Sequence, residues 1–228
     1  ALTNCVSSLI EVRGVDLGKT SFKRRINTAF IIGMSYLTTA YNSVDELKTE
    51  IQKAKDSKHP ATAKTVKKVY QDSIQVIDLD KNEEISLEIT IRDALQLTSK
   101  LSRERPKAYL IAVTEQDAIA KLKVLGLKVK LLEMELDIEV EAYKVSSYEQ
   151  EAEKYEGVIL QTVSTKIETT TKSFPVGTAL VDLNQSKANL SIEVLEPEVR
   201  NSFVSFSVIE TELGKTLPVY RVLKAVEL

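Results

Sequence analysis

The period of the apolar residues changes from three or four to two beyond Pro60, and the change separates two kinds of structure. From Phe22 the apolar positions Ile26, Phe30, Met34, Leu37 and Tyr41 return every three or four residues, as on one face of an amphipathic helix. Ahead of it Thr20 or Ser21 is a candidate cap, although Lys and Arg in the first turn oppose the helix dipole. Ser43 and Glu46 have capping-box spacing and predict a second, more polar helix through about Ala54. Lys53 to His59 then loses its apolar positions and meets Pro60, so a boundary is expected there, with one domain over residues 1–57 and another over 58–228.

From Ser73 the period is two. Ser73–Leu79 and Ile85–Ile91 alternate on either side of Asp80-Lys81-Asn82-Glu83, which predicts a hairpin. Pro106 precedes a short strand over Ala108–Val113, and Thr114 opens a helix whose Ala118, Ile119, Leu122 and Leu125 face inward and whose end is marked by Gly126. Further strands are expected at Val129–Leu132, Leu136–Val145, Val158–Glu168, Thr178–Leu183 and Leu190–Val194, while Phe203–Glu212 reads equally as strand or helix. At the other end, Asn4 to Val15 reads as a strand apolar at successive positions, the pattern of a strand covered on both faces. The fold class is thus the strand and helices of an α/β domain followed by a mostly β domain with one helix, α+β in total.

Composition narrows the function. Lys plus Arg total 31 against 33 Asp plus Glu, a net charge of −2 that gives no electrostatic drive toward nucleic acid or an anionic membrane. Lys64, Lys67 and Lys68 cluster without interleaved aromatics and read as a solvated face. No apolar run approaches the roughly 20 residues of a membrane span. With one cysteine, Cys5, one histidine, His59, and no CxxC, HxxH or HExxH spacing, the chain lacks the donors of a self-contained zinc site, so no metal is expected to be held by this chain. Glu133, Glu135, Asp137, Glu139 and Glu141 alternate as the wet face of a strand rather than as a calcium loop. The opening Ala-Leu-Thr-Asn-Cys has neither initiator Met nor signal-peptide pattern, so the chain is expected to begin inside a larger protein or after processing.

One residue breaks the first apolar run in a chemically pointed way. Glu11 stands mid-strand among Leu9, Ile10 and Val12, and a carboxylate there is costly unless paired. Arg13, two residues on, shares its strand face and is the available partner. A structural ion pair accounts for the pattern, and so does a catalytic carboxylate at the carboxyl end of a parallel strand, just before the chain turns at Gly14. Elsewhere, Glu196-Pro197-Glu198 reads as a turn closing a strand, and Asn184 and Gln185 as turn and edge residues.

The run Ser8-Leu9-Ile10-Glu11-Val12-Arg13-Gly14-Val15 and the helix after it resemble the last catalytic segment of the zinc metallocarboxypeptidases of the carboxypeptidase A superfamily, in particular the bacterial branch. Phe174-Pro175-Val176-Gly177-Thr178, Asp182-Leu183-Asn184-Gln185, Val194-Leu195-Glu196-Pro197-Glu198 and Asn201-Ser202-Phe203 resemble the β-rich extension that follows the peptidase domain in long members. The resemblance implies that residues 1–57 end a catalytic domain, that 58–228 form an accessory domain, and that Glu11 is the general base; Arg13, at strand spacing from it, either orients it by a charge-assisted hydrogen bond or has a purely structural role. It also implies a zinc ion in the complete enzyme whose ligands precede this chain. The implied partners are the upstream half of the same peptidase domain and a peptide substrate, in a periplasmic or secreted location. The fragment alone is expected to be inactive. The competing expectation is a noncatalytic β-rich module that binds peptide or glycan, with Glu11 a mere ion-pair partner.

Overall fold

The structure is a computed structural model that describes residues 2–12, 18–19 and 21–224. Two compact units make up the chain, Ala1–Lys58 and His59–Leu228. The first holds two helices, α1 over Phe22–Asn42 and α2 over Val44–Asp56. Ser21 stands at the N-cap of α1, where its hydroxyl donates to Gly18 O at 3.3 Å. The predicted capping box at Ser43 does not form. Ser43 N–H bonds Thr39 O at 3.0 Å, closing α1, and its φ of −116° and ψ of 30° leave the extended region from which a side chain reaches the next turn. Asp45 and Glu46 in the first turn of α2, with Lys53 and Lys55 in the last, complement its dipole instead.

The strand expected at Asn4–Val15 is not observed. Residues 6–12 run without a ladder, and Arg13, Gly14 and Val15 lie outside the described residues. An apolar run becomes a strand only where another strand accepts its backbone hydrogen bonds, and unit 1 has none among its described residues. For the same lack of a second layer, the apolar face of α1 is exposed at Phe22, Ile26, Phe30, Met34 and Leu37.

Unit 2 is α+β with strand predominating. Its first element is a two-stranded antiparallel arm, β1 over Ala61–Asp78 and β2 over Glu83–Arg103. The predicted hairpin lies at its tip, where Asp78 Oδ1 accepts the backbone N–H groups of Asp80 and Lys81 and Asn82 takes a φ of 52°. After the arm come β3 (Ala108–Ile111), α3 (Gln116–Val124), β4 (Lys130–Leu131), β5 (Leu136–Tyr155), β6 (Val158–Phe174), β7 (Ala179–Asp182), α4 (Ala188–Leu195) and β8 (Thr216–Val222). Their strands form one sheet of order β4-β7-β3-β8-β5-β6, antiparallel throughout.

β3, flanked by β7 and β8, is buried at all four positions, and its alternation feeds two cores. Tyr109 and Ile111 join Ile119 and Leu122 of α3, Ile192 and Leu195 of α4, Phe203 and Val219. Ala108 and Leu110 join Ile138, Val140, Phe174, Leu180 and Tyr220, with the Phe174 and Tyr220 rings edge to face at 5.1 Å. Along β5 the residues Ile138, Val140 and Ala142 are buried while Asp137 and Glu139 are exposed, the alternation that the acidic residues announce.

Three expectations need correction. Leu190–Val194 is helical within α4, because both faces of this short apolar run are buried and a fully buried run carries no period that separates helix from strand. Phe203–Glu212 is neither strand nor helix; Phe206, Val208 and Ile209 N–H groups fold back to Ser202 and Phe203 carbonyls. β8 over Thr216–Val222 lies outside the strands expected above, and it carries Pro218, a residue that an interior strand seldom accepts. Pro218 is tolerated because it lies where the register with β5 shifts, between Tyr220 opposite Ala142 and Thr216 opposite Lys144.

Gly126 ends α3 with a φ of +78°, and a Cβ there would lie 2.3 Å from Lys187 Nζ, which donates to Leu125 O at 2.8 Å. Gly214 has a similar φ, +83°, with nothing within 4 Å. Gly214→Ala is predicted to cost about 1–2 kcal/mol in urea unfolding from backbone strain alone, and Gly126→Ala more, because it also displaces the Lys187 amine. Equal losses would show that the amine moves aside freely.

Candidate functional site

Two places in the described residues carry concentrated chemistry, one in each unit. In unit 1, Glu11 lies on the extended run ahead of α1, and its side chain is exposed. The run is tied back to the helix by a 2.7 Å hydrogen bond between the hydroxyls of Ser8 and Tyr36. No described residue bonds the Glu11 carboxylate, so it is presented to solvent as an acceptor, and Arg13, its proposed orienting partner, lies outside the described residues. His59 opens unit 2, exposed, and only its backbone carbonyl is engaged, by Arg105 at 3.4 Å.

In unit 2 the charged residues converge in the interior. The last residue of the arm, Arg103, sends Nη1 to Glu196 Oε2 and Glu198 Oε2, each at 2.9 Å, and Nη2 to Glu198 Oε1 at 2.8 Å. Glu196 is fully buried; its other oxygen accepts the Tyr109 hydroxyl at 2.7 Å and lies 3.3 Å from Arg221 Nε. Arg221 also pairs with Glu141 and donates to the carbonyl of Glu104. Thr165 gives Glu198 both its N–H, at 2.9 Å, and its hydroxyl, at 2.7 Å. The Arg103 guanidinium stands over the Tyr143 ring, 5.5 Å from its centre.

Local sequence explains how Glu196 arrives there. Pro197 forbids helical backbone at the residue before it, so α4 stops at Leu195 and Glu196 is extended, with φ −76° and ψ 116°. The chain then turns through Ser202, whose hydroxyl donates to Pro197 O at 3.1 Å and accepts from Ser205 N–H at 3.0 Å. The expected turn at Glu196-Pro197-Glu198 thus closes a helix rather than a strand. Gln185 stands in a turn and exchanges hydrogen bonds with the Lys128 backbone, while Asn184 N–H bonds Asp182 Oδ1 at 2.7 Å. Gly177, with φ +86°, closes the turn in which Thr178 N–H bonds Pro175 O at 3.2 Å. The motifs Pro-Val-Gly, Asn-Gln and Leu-Glu-Pro-Glu therefore shape the second unit.

Electrostatics follow the geometry. Burial opposes ionisation of Glu198, yet the hydrogen bonds from Arg103 and Thr165 outweigh it and hold the carboxyl below the usual glutamate range. Burial likewise opposes the charge on Arg103, and the two carboxylates more than compensate, holding the guanidinium on. The Tyr109 and Tyr143 hydroxyls are pushed well up, first by burial and then by the Glu196 carboxylate. Glu196, Glu198 and the partly buried Glu141 against two guanidiniums leave the centre one negative charge over, while every oxygen of Glu196 and Glu198 has a donor. That is the chemistry of a structural clamp. Nothing in the sequence pairs these residues, although Glu196, like Glu11, is a carboxylate set in an apolar run.

Among the described residues no group of three or more His, Cys, Asp or Glu side chains stands where it could hold a metal ion, so the residues present do not fit a zinc cage. No described helix is long and apolar enough to cross a membrane.

The chain is similar to parts of longer fungal proteins. It is 31% identical over 225 residues to carboxypeptidase 2 of Trichophyton tonsurans, covering 97% of this chain and 42% of that protein. Carboxypeptidase 2 of Trichophyton rubrum is 30% identical over 224 residues, covering 96% and 42%, and a probable carboxypeptidase 2 of Arthroderma benhamiae is 28% identical over 204 residues, covering 88% and 39%. The chain thus spans about 42% of the length of the two Trichophyton relatives. No family model matches it, and no solved structure matches it significantly.

Two measurements test the clamp. Arg103→Met leaves two buried carboxylates facing each other without their shared cation and is predicted to cost about 3–5 kcal/mol in chemical unfolding; an effect below about 1 kcal/mol would show that solvent already reaches the centre. The depressed Glu198 carboxyl contributes stability above the ordinary glutamate value of 4.5 that is lost as pH falls below it. The raised Tyr109 and Tyr143 hydroxyls contribute stability below the ordinary tyrosine value of 10.0 that is lost as pH rises past it. A melting-temperature profile is therefore predicted to be flat between these limits and to fall on both sides, with Glu198→Gln shrinking the acid-side fall.

Proposed function

We propose that this chain is the C-terminal part of a zinc-dependent metallocarboxypeptidase in which Glu11 is the general base and His59–Leu228 is a noncatalytic accessory domain. The observation that carries this reading is the 31% identity to a protein named carboxypeptidase 2 along 97% of the chain, together with the 42% share of that longer protein. The metal, on this reading, is bound by the portion of the longer protein that the chain does not match, since the described residues supply no cage. The contribution of this chain is a carboxylate. Glu11, exposed on an extended segment, accepts a proton from the water that attacks the C-terminal peptide bond and returns it to the leaving amine nitrogen. Arg13 orients that carboxylate by a charge-assisted hydrogen bond. The bacterial branch suggested by the motifs stands beside relatives that are all fungal, so the reading is of the superfamily's chemistry rather than of one branch. A secreted or periplasmic location goes with the resemblance.

For unit 2 a specific observation favours the noncatalytic role: every oxygen of its buried Glu196 and Glu198 carboxylates is engaged by its own guanidiniums and hydroxyls. A base awaiting substrate would keep an acceptor exposed, as Glu11 does.

In the complete protein, Glu11→Gln is predicted to leave zinc content and melting temperature unchanged while lowering kcat about 10²- to 10⁴-fold on a peptide substrate. Retention of activity within tenfold, or loss of the fold, would make Glu11 structural. The 228-residue chain supplied with zinc is predicted to release no C-terminal amino acid, and turnover by it would overturn the reading.

A further inference from the structure

The arm formed by β1 and β2 is longer than the fold of unit 2 requires. Eighteen residues of β1 at about 3.3 Å each give it a reach of roughly 60 Å. Of the whole arm, only Ala61 and Ala63 at its root are buried hydrophobics.

The pairing register shows that its two faces differ. Tyr70 lies opposite Ile91, Asp72 opposite Ile89, Ile74 opposite Leu87 and Val76 opposite Ile85. Residues directly opposite in an antiparallel pair, and residues two apart on one strand, share a face. Tyr70, Ile74, Val76, Ile85, Leu87, Ile89 and Ile91 therefore make one continuous apolar strip, broken only by Asp72. The opposite face pairs Gln71 with Thr90, Ser73 with Glu88 and Gln75 with Ser86. The strip is only partly covered: Ile74 is 42% and Leu87 47% exposed, and Tyr70, Val76, Ile85, Ile89 and Ile91 each keep a smaller share of their surface in solvent. A two-stranded ribbon by itself is marginally stable in water, and an apolar face on it calls for a cover.

Charge says which cover fits. In the distal half, residues 72–88, six acids (Asp72, Asp78, Asp80, Glu83, Glu84, Glu88) stand against Lys81, a balance of −5. In the proximal half, residues 61–71 and 89–103, six bases (Lys64, Lys67, Lys68, Arg92, Lys100, Arg103) stand against Asp93, a balance of +5. Arg103 is neutralised by Glu196 and Glu198, which leaves +4 toward solvent. The arm is neutral in total and strongly dipolar along its length. A surface of that kind is complementary to itself when inverted.

We infer that the arm is a self-association device: two copies of this chain lay their β1–β2 apolar strips face to face in an antiparallel, two-fold pair. Each acidic tip then covers the basic root of the other arm, and both ends gain the same contact, as an isologous interface requires. A parallel pair would set like charge on like. The strip takes seven residues of each strand, about 23 Å in length and about 10 Å in width, so the pair covers roughly 460 Å² in total. This is less than the ~1,200 Å² of a permanent complex, so the association is concentration-dependent and, being steered by exposed charge, weakened by salt. The inference rests on the arm alone and stands apart from the peptidase reading.

Sedimentation of the complete protein across a range of concentrations is expected to show a monomer–dimer equilibrium whose dissociation constant rises about tenfold or more in 0.5 M salt. Leu87→Asp, a change at an exposed position, is expected to raise it by at least tenfold while the melting temperature holds. The charge pattern gives the decisive arm of the test. A tip variant (Glu83→Lys, Glu84→Lys, Glu88→Lys) and a root variant (Lys64→Glu, Lys67→Glu, Lys100→Glu) should each be monomeric, and their equimolar mixture should dimerise. Association through the apolar face of α1 would be indifferent to these changes, and a dimer that persists in both variants overturns the inference. So does a monomer at every concentration, an outcome that with a destabilised Leu87→Asp variant assigns the strip to another part of the same polypeptide.

Discussion

The buried contact of Arg103 with Glu196 and Glu198 is the constraint on which the second unit depends. Removing three charges from water is expensive, and the cost is offset only because every carboxylate oxygen has a donor and the guanidinium bridges both acids. The contact joins residues 93 apart in sequence and fixes two things together. It pins the root of the long arm to the body, and it pins the segment leaving α4 beneath β3 and β8, whose Tyr109 and Arg221 complete the coordination of Glu196. A well-packed apolar cluster would supply comparable stability. What the ionic one adds is direction: a bidentate guanidinium accepts one orientation of the arm and no continuum of alternatives.

From that clamp the rest of unit 2 can be ordered. β3 is short and wholly buried, so its two neighbours must be strands, and β8 fills one side despite Pro218 because the register with β5 loosens there. The helices then lie over one face of the sheet, where Tyr109 and Ile111 meet Leu122, Ile192 and Leu195. The arm lies beyond both cores. Its freedom from them is what leaves an apolar strip and a lengthwise charge gradient available to a second molecule.

The two chemically pointed carboxylates in the chain illustrate opposite outcomes of the same local pattern. Glu11 and Glu196 each sit in an apolar run. Glu196 is drawn inward because Pro197 ends the helix at that point and two arginines meet it. Glu11 is left in solvent, and among the described residues its run has no neighbouring strand to bury it. A proton carrier must keep an acceptor open, whereas a structural acid must have every acceptor filled.

Sequence by itself determined whatever depends on neighbours a few residues apart. The helical period from Phe22 to Tyr41, the alternation around Asp80–Glu83, the inward face of α3 and its glycine stop, and the wet acidic face of β5 were all readable, since each follows from local geometry and solvent. Tertiary structure decided what depends on partners far along the chain. It made Leu190–Val194 helical, because a run buried on all sides has no period to read. It placed a proline-containing strand inside the sheet, where a register shift spared it a hydrogen bond. It also turned Glu-Pro-Glu into the anchor of a clamp, because only folding brings the end of the arm to those acids. The ladder missing from the described residues 4–12 is the same lesson reversed: local pattern proposes a strand, and a partner must be present to accept it.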